Sequence, residues 1–179
     1  MNRPTRRPVT PRVAGVALSA ALVLFASGGC AIFAPEPERP AYGGTDQVGD
    51  VAPESLVGTW RVTALNPLPD EPPQETVIEY RADGSVIGRT DLDERNAALM
   101  GEDARLEITG RWSVVGGVVN HSEMDVEIVD GNALASMAGG LVSGAMRNVS
   151  NEANVYELGA NRIVMVGDDG AAMRYDRLL

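Results

Sequence analysis

From residue 59 to residue 178 the chain is a series of short segments in which apolar and polar residues alternate, and nearly every segment ends at a turn signal. Alternation with a period of two predicts β-strands that bury one face. Asp83-Gly84 and Gly116-Gly117 are typical of tight hairpin turns. The pattern predicts eight strands, at residues 59–65, 75–82, 85–90, 105–115, 118–129, 152–158, 162–166 and 171–178.

Strands joined by tight turns favour an antiparallel up-and-down arrangement. Eight strands close into a barrel just wide enough for side chains or one small ligand, and closure removes the exposed sheet edges. The best-defined strand, 105–115, places one set of residues on a single face: Leu106, Ile108, Gly110, Trp112 and Val114. We therefore expect residues 55–179 to form an all-β, eight-stranded antiparallel up-and-down barrel with one or two short helices.

Two segments depart from the alternation. Residues 91–100 begin with acids, end in Ala97-Ala98-Leu99-Met100 and are followed by Gly101, which predicts a short helix with a glycine stop. Residues 130–149 carry apolar residues at helical spacing, with Asn132 or Asp130 as the cap. Glycines at 139, 140 and 144 weaken a helix there, so an irregular or strand-like excursion is the alternative.

The amino-terminal 30 residues have the layout of an export signal. A basic, proline-broken start precedes an apolar run at 16–26 that is short for a membrane span. The run ends in Ser27-Gly28-Gly29-Cys30, which resembles the lipobox of bacterial lipoproteins, although Ser27 stands where that family usually has Leu, Val or Ile. A plain secretory signal or an uncleaved anchor are the alternatives.

The lipoprotein resemblance implies a chain of events at Cys30. Residues 1–29 would be a signal peptide, the Cys30 thiol would receive a diacylglyceryl group, and the new amino terminus would be acylated, for example with palmitate. Two or three acyl chains hold a small domain at a bilayer essentially permanently. Ala31, where the family uses Asp for inner-membrane retention, favours a cell-envelope protein on the outer membrane that faces the periplasm.

Residues 30–54 are rich in proline, glycine and acids. Alternating proline and charge favours extended chain, and such a composition buries little apolar surface. We expect a lipid-anchored disordered tether between Cys30 and a barrel that begins at residue 55.

An ordered set of short motifs resembles bacterial lipocalin-like domains. Gly58-Thr59-Trp60 matches the G-x-W signature of the first lipocalin strand, and residues 79–84, 110–117 and 174–178 follow in the family's order. The resemblance implies that an arginine on the last strand stacks on the first-strand tryptophan and closes one end of the barrel. Arg177 is expected in that role, with Gly58 and Trp60, because Arg174 would point to the other face of the strand.

Composition excludes several kinds of site. The chain has one cysteine, one histidine and no lysine, which rules out an intramolecular disulfide, a zinc site built from Cys and His, and lysine catalysis. His121 is expected to be an ordinary surface residue, and the acidic clusters near 91–94 and 102–103 to be solvated. We expect no enzyme, no cofactor and no metal.

The charge of the chain excludes a further class of partner. Cleavage before Cys30 would leave 25 acids against 11 Arg, a net charge of −14, which repels nucleic acid. Such a surface favours solubility and basic or cationic partners.

Two functions from different classes follow. The first is the binding of a small apolar or amphipathic molecule, with Trp112 as a candidate contact and a lid helix carrying Met137, Leu141 and Met146. The alternative is a protein-interaction module of the cell envelope, such as a protease inhibitor, with a filled barrel and no small ligand; the loop at 66–74 is its candidate contact.

Overall fold

The structure, a computed structural model, describes residues 39–68, 75–133, 135 and 151–179. Within these residues the chain forms a closed barrel in which each strand pairs antiparallel with the next and the last strand pairs with the first. The expected eight-stranded antiparallel up-and-down barrel is confirmed. Its strands are β1 (Gly58–Ala64), β2 (Thr76–Tyr80), β3 (Ser85–Asp91), β4 (Arg105–Val115), β5 (Val118–Val129), β6 (Asn151–Leu158), β7 (Arg162–Gly167) and β8 (Ala172–Arg177).

Two short helices accompany the strands in the described part of the chain: α1 (Pro53–Leu56) and α2 (Glu94–Met100). The start of α2 follows from its cap, since Asp93 accepts a hydrogen bond from the Asn96 backbone N–H at 2.9 Å. Its end follows from Gly101, which has a φ of 118° and whose N–H bonds the Ala97 carbonyl. The helix expected over 91–100 is thereby confirmed, with its first turn starting later.

The interior of the barrel is built from aligned layers of side chains. One such layer consists of residues that pair side by side on five neighbouring strands, β1 to β5: Trp60, Ile78, Gly88, Ile108 and Val126. The glycine in this row leaves room for the two isoleucines, since a Cβ at position 88 would touch both at 3.5 Å. The interior side chains belong to one continuous buried cluster that runs from Val51 to Tyr175.

A β-bulge in β5 changes which of its residues face inward. Thr109 pairs with Asp125, but Arg111 pairs with Ser122, so β5 carries one extra residue there, and Glu123 adopts a φ of 53°. Met124 fills the space above Gly110, where a Cβ would lie 2.4 Å from the Met124 sulfur. The alternation of inward and outward residues therefore reverses its parity across the bulge.

Residues 40–52, here called the strap, lie along the barrel rather than apart from it. The Val48 N–H donates to the Val155 carbonyl at 2.7 Å, the Thr45 hydroxyl donates to the Tyr156 carbonyl at 2.6 Å, and Tyr42 packs edge-on against the Tyr156 ring. Val51 is 4% exposed and belongs to the main core. The expectation of a disordered tether up to residue 54 is wrong for the strap. β5 pairs only with residues 151–154 of β6, so the β5 side of residues 155–158 is open and the strap bonds Val155 and Tyr156 there.

Asn66 fixes the strap to the opposite end of the barrel from α1. Its side-chain amide donates to the Pro40 carbonyl at 2.7 Å and to the Gly170 carbonyl at 2.9 Å. Its side-chain oxygen accepts the Ala172 N–H at 2.8 Å. Asn66 is 8% exposed, so these bonds satisfy a buried amide and join the strap, the end of β1 and the β7–β8 turn.

Candidate functional site

One end of the barrel is closed by Arg177 lying over Trp60. The guanidinium carbon is 4.0 Å from the centroid of the indole ring. The guanidinium also donates to three backbone carbonyls, those of Val57 at 2.9 Å, Ser55 at 3.0 Å and Ala160 at 2.7 Å. The Trp60 N–H donates to the Leu56 carbonyl at 2.7 Å, and the residue is fully buried. The expected pairing of Trp60 with Arg177 is confirmed, and its role is structural.

Gly58 is required by this closure. Its φ of 141° lies where L side chains are rare, and a Cβ at this position would stand 2.3 Å from an Arg177 nitrogen. The Arg174 side chain points to the other face of β8, where it bonds Asp176 at 2.7 Å. The choice of Arg177 over Arg174 is therefore confirmed.

Trp112, the candidate ligand contact, is used by the core. The residue is 7% exposed, and its indole N–H donates to the Arg81 carbonyl at 3.0 Å. Its ring packs edge-on against Tyr80, with 5.2 Å between the centroids. Met137, Leu141 and Met146, the candidate lid residues, lie outside the described residues.

His121 faces the barrel interior, so the expectation of a surface histidine is wrong. Its Nε2 is 2.9 Å from the Tyr80 hydroxyl, and its ring centroid is 5.8 Å from that of Tyr80. In the strand register His121 stands opposite Trp112. The physical reason is the bulge at Glu123, which turns the residues before it to the opposite parity from Met124 and Val126.

Tyr80, Trp112, His121 and Tyr175 together form a polar aromatic cluster within the core. The Tyr80 and Tyr175 rings lie 6.4 Å apart. Burial raises the pKa of Tyr175 to about 12 and raises the pKa of Tyr80 well above its usual value. Burial lowers the pKa of His121 to about 4, while a hydrogen bond with the Asn151 backbone acts in the opposite direction.

These shifts fix the charge state of the cluster. Each one disfavours the charged form of its group, so the cluster is neutral at physiological pH. Among the described residues, no buried side-chain nitrogen or oxygen lacks a hydrogen-bond partner. The cluster therefore has the properties of a satisfied core network.

The other end of the barrel carries a second, smaller core. Met100, Ala104 and Ala135 are buried together, and the half-buried Leu92 and Ile128 pack against both this cluster and the main one. Asn132 accepts the Ala135 N–H at 3.1 Å, as expected of a helix cap, and residues 134 and 136–149 of the expected 130–149 segment lie outside the described residues.

An open groove of about 820 Å³ lies beside this second core. Its polar lining is acidic (Asp91, Glu102, Asp103 and Asp130) apart from Arg105, which pairs with Asp130. In the described part of the chain no group of three or more His, Cys, Asp or Glu residues is placed to hold a metal ion. None of the described helices has the length and apolar character needed to cross a membrane.

Comparison with known proteins adds little to this description. No protein-family model matches the chain, and no curated protein matches it. A solved structure of a redesigned β-barrel is similar, with 12% sequence identity and a TM-score of 0.37 over 72% of this chain and 96% of that one. The barrel of the present chain rests on its own strand pairing, and the lipobox and lipocalin resemblances stay predictions from its sequence.

Proposed function

We propose that this protein is a cell-envelope lipoprotein, anchored through Cys30, whose barrel binds a protein partner with its outer surface. The observation that carries the proposal is the occupied interior. Trp60, Tyr80, Val119 and Val155 are at most 1% exposed, and Trp112 and His121 are tied by hydrogen bonds to neighbouring elements. A carrier would have to displace these side chains to admit a ligand at this end of the barrel.

The outer surface favours a basic partner. The expected mature charge is −14, and the outer face of β5 carries the exposed carboxylates Glu123 and Glu127. Complementary charge accelerates association and makes it dependent on ionic strength. Lipidation at Cys30 would concentrate such binding at the bilayer surface, where an envelope partner is available.

Site-specific photo-crosslinking in the host envelope tests the proposal. A photoreactive amino acid at position 123 or 127 should give one discrete cross-linked protein, whose yield falls at high salt and with the charge reversal Glu127→Arg. A probe at the buried position 119 should give none and serves as the control. The absence of any partner with probes at all exposed positions of the barrel would contradict the proposal.

A small apolar ligand is a second candidate, and one observation favours it. Leu92 and Ile128 are only half-buried between the two core clusters, so the end of the barrel near α2 is where an apolar molecule would enter. Binding of such a molecule should be lost in Ile128→Arg and kept in Val115→Arg, since Val115 is 69% exposed at the β4–β5 turn.

A further inference from the structure

The strap leaves much less free chain between the barrel and Cys30 than the sequence suggests. A tether that ended at residue 54 would put 24 residues between Cys30 and Ser55, a reach of up to about 85 Å. Pro40 is held by Asn66, and Arg39 donates to the Asn66 carbonyl at 3.5 Å. Eight residues then separate Cys30 from Arg39, which can span at most about 30 Å.

The place where this short connection meets the barrel is well defined. Asn66 lies two residues after β1 and bonds Gly170 of the β7–β8 turn, so the strap begins at the end of the barrel that holds the end of β1 and this turn. From there the strap reaches β6, where Thr45 bonds Tyr156, the Gln47 side chain bonds Asn154 and the Val48 N–H bonds Val155. It reaches the opposite end at Val51 and α1, next to the Trp60–Arg177 closure.

We propose that the strap sets the orientation of the barrel at the bilayer: the end at Asn66 and the β7–β8 turn faces the membrane, and the end closed by Arg177 faces away. The inference rests on the proposed lipid anchor at Cys30. It places the Arg81–Gly84 and Gly159–Asn161 turns farthest from the bilayer and Glu127, near the end of β5, closer to it.

The negative charge of the membrane-facing end favours a position near the bilayer but outside it. Asp168 and Asp169 lie in the β7–β8 turn, and Asp168 is exposed. Anionic headgroups repel these carboxylates, so this end faces the bilayer without entering it. The eight-residue connection permits such a gap and still keeps this end within about 30 Å of the surface.

Energy transfer from the barrel to labelled lipids tests the orientation. The chain has no cysteine besides Cys30, which lipidation blocks, so a single added cysteine can be labelled selectively. Asp168→Cys marks the membrane-facing end and Ala82→Cys marks the opposite end, both at exposed positions. The lipidated full-length protein is reconstituted in vesicles of neutral phosphatidylcholine that contain an acceptor lipid.

The label at position 168 should give at least about twofold greater transfer than the label at position 82, since a seven-residue strand such as β1 spans roughly 23 Å. Insertion of a Gly/Ser linker of about 12 residues between Glu38 and Arg39 lengthens the connection and leaves Asn66 intact. The insertion should lower the energy transfer from the label at position 168 and reduce the difference in transfer between the two labels. Asn66→Ala should do the same by releasing the strap. Equal transfer from both labels without the insertion would overturn the inference.

A separate measurement distinguishes failure of this inference from failure of the proposed function. Mass spectrometry of the purified chain should show the loss of residues 1–29 and a lipid on Cys30, and the protein should float with the vesicles. A chain that is not lipidated overturns the anchor and, with it, the orientation. A lipidated, floating chain with equal transfer from both labels overturns the orientation alone.

Discussion

Acidification should destabilise the fold through His121. The folded-state pKa of this imidazole is about 4 against an ordinary value of 6.5, because burial disfavours its charged form. The unfolded chain therefore binds a proton that the folded chain does not, once the pH falls below about 6.5. Stability is fully present above pH 6.5 and is lost as the pH falls toward 4.

The size of the effect follows from the width of this window. A difference of about 2.5 pKa units at about 1.4 kcal/mol per unit amounts to roughly 3 kcal/mol of unfolding free energy. This is a large share of the 5–15 kcal/mol that is typical of a domain. Among the described residues, the groups that face the ring within the barrel are Tyr80, Trp112 and the Asn151 backbone, and none of them carries a negative charge.

Urea unfolding of the mature chain carrying Cys30→Ser measures this loss. Unfolding free energies are compared at pH 7.5, 5.5 and 4 for that chain and for the same chain with His121→Gln, whose amide can still bond Tyr80 and the Asn151 backbone. Carboxylates titrate alike in both proteins, so the difference between them isolates the histidine. The unfolding free energy of the chain with His121, minus that of the His121→Gln variant, should fall by about 3 kcal/mol between pH 7.5 and pH 4.

A difference that stays constant with pH would show that His121 titrates alike in the folded and unfolded chains. NMR gives a direct check, because the chain has a single histidine and its imidazole signals need no assignment. They should remain at their neutral positions until the pH approaches 4. A midpoint near 6.5 would place His121 in water and contradict its position inside the barrel.

Three further predictions concern the same core. Gly58→Ala should lower the unfolding free energy by about 1–3 kcal/mol through its positive φ and the contact with Arg177, whereas Gly49→Ala, with nothing within 4 Å, should have little effect in the same urea assay. Arg177→Met should lower the unfolding free energy by about 3 kcal/mol, because it removes the cation–π contact and three hydrogen bonds to carbonyls. Arg95→Met, at an exposed position, is the matched control and should have little effect. Because burial raises the pKa of Tyr175 to about 12, stability should be lost as the pH rises from 10 to 12, and tyrosinate absorbance should appear together with unfolding rather than before it.

Much of the barrel could be predicted because its signals are local. The bounds of β4 and β5 agree with the expected 105–115 and 118–129, since Gly116 and Gly117 adopt the positive φ values of 57° and 79° that a tight turn requires. The Trp60–Arg177 closure followed from the family motif together with the parity of β8. The strand and turn inferences use residues within one strand or one turn, whereas the closure joins β1 to β8 and depended on the resemblance to lipocalin-like domains.

The features that sequence analysis missed depend on contacts between distant residues. The orientation of His121 is set by a bulge, and nothing in Ser122-Glu123-Met124 identifies the extra residue, because Glu123 is a non-glycine residue at positive φ. The available signal was the spacing of Val119 and His121. Residues two apart in a strand lie on the same face, so an inward-facing Val119 places His121 in the core. This placement conflicts with the Val126 and Ile128 pattern unless a bulge lies between the two pairs.

The strap was missed for a related reason. Its composition is typical of a tether, and its hydrogen bonds to β6 come from the Val48 backbone and the polar side chains of Thr45 and Gln47. Such bonds form only because β5 begins level with Asn154 and leaves one edge of residues 155–158 to cover. Asn66 likewise lies in a proline-rich loop, and its role depends on Pro40 and Gly170, which are 26 and 104 residues away in sequence.

Native mass spectrometry followed by denaturing mass spectrometry, on the lipidated protein purified from its host envelope, tests whether the barrel holds a small molecule. A barrel that is filled by its own side chains and works through its outer surface should have a native mass equal to the covalent mass of the acylated chain, with no additional small molecule. A stoichiometric small molecule that is lost on denaturation would contradict it and would make the protein a carrier.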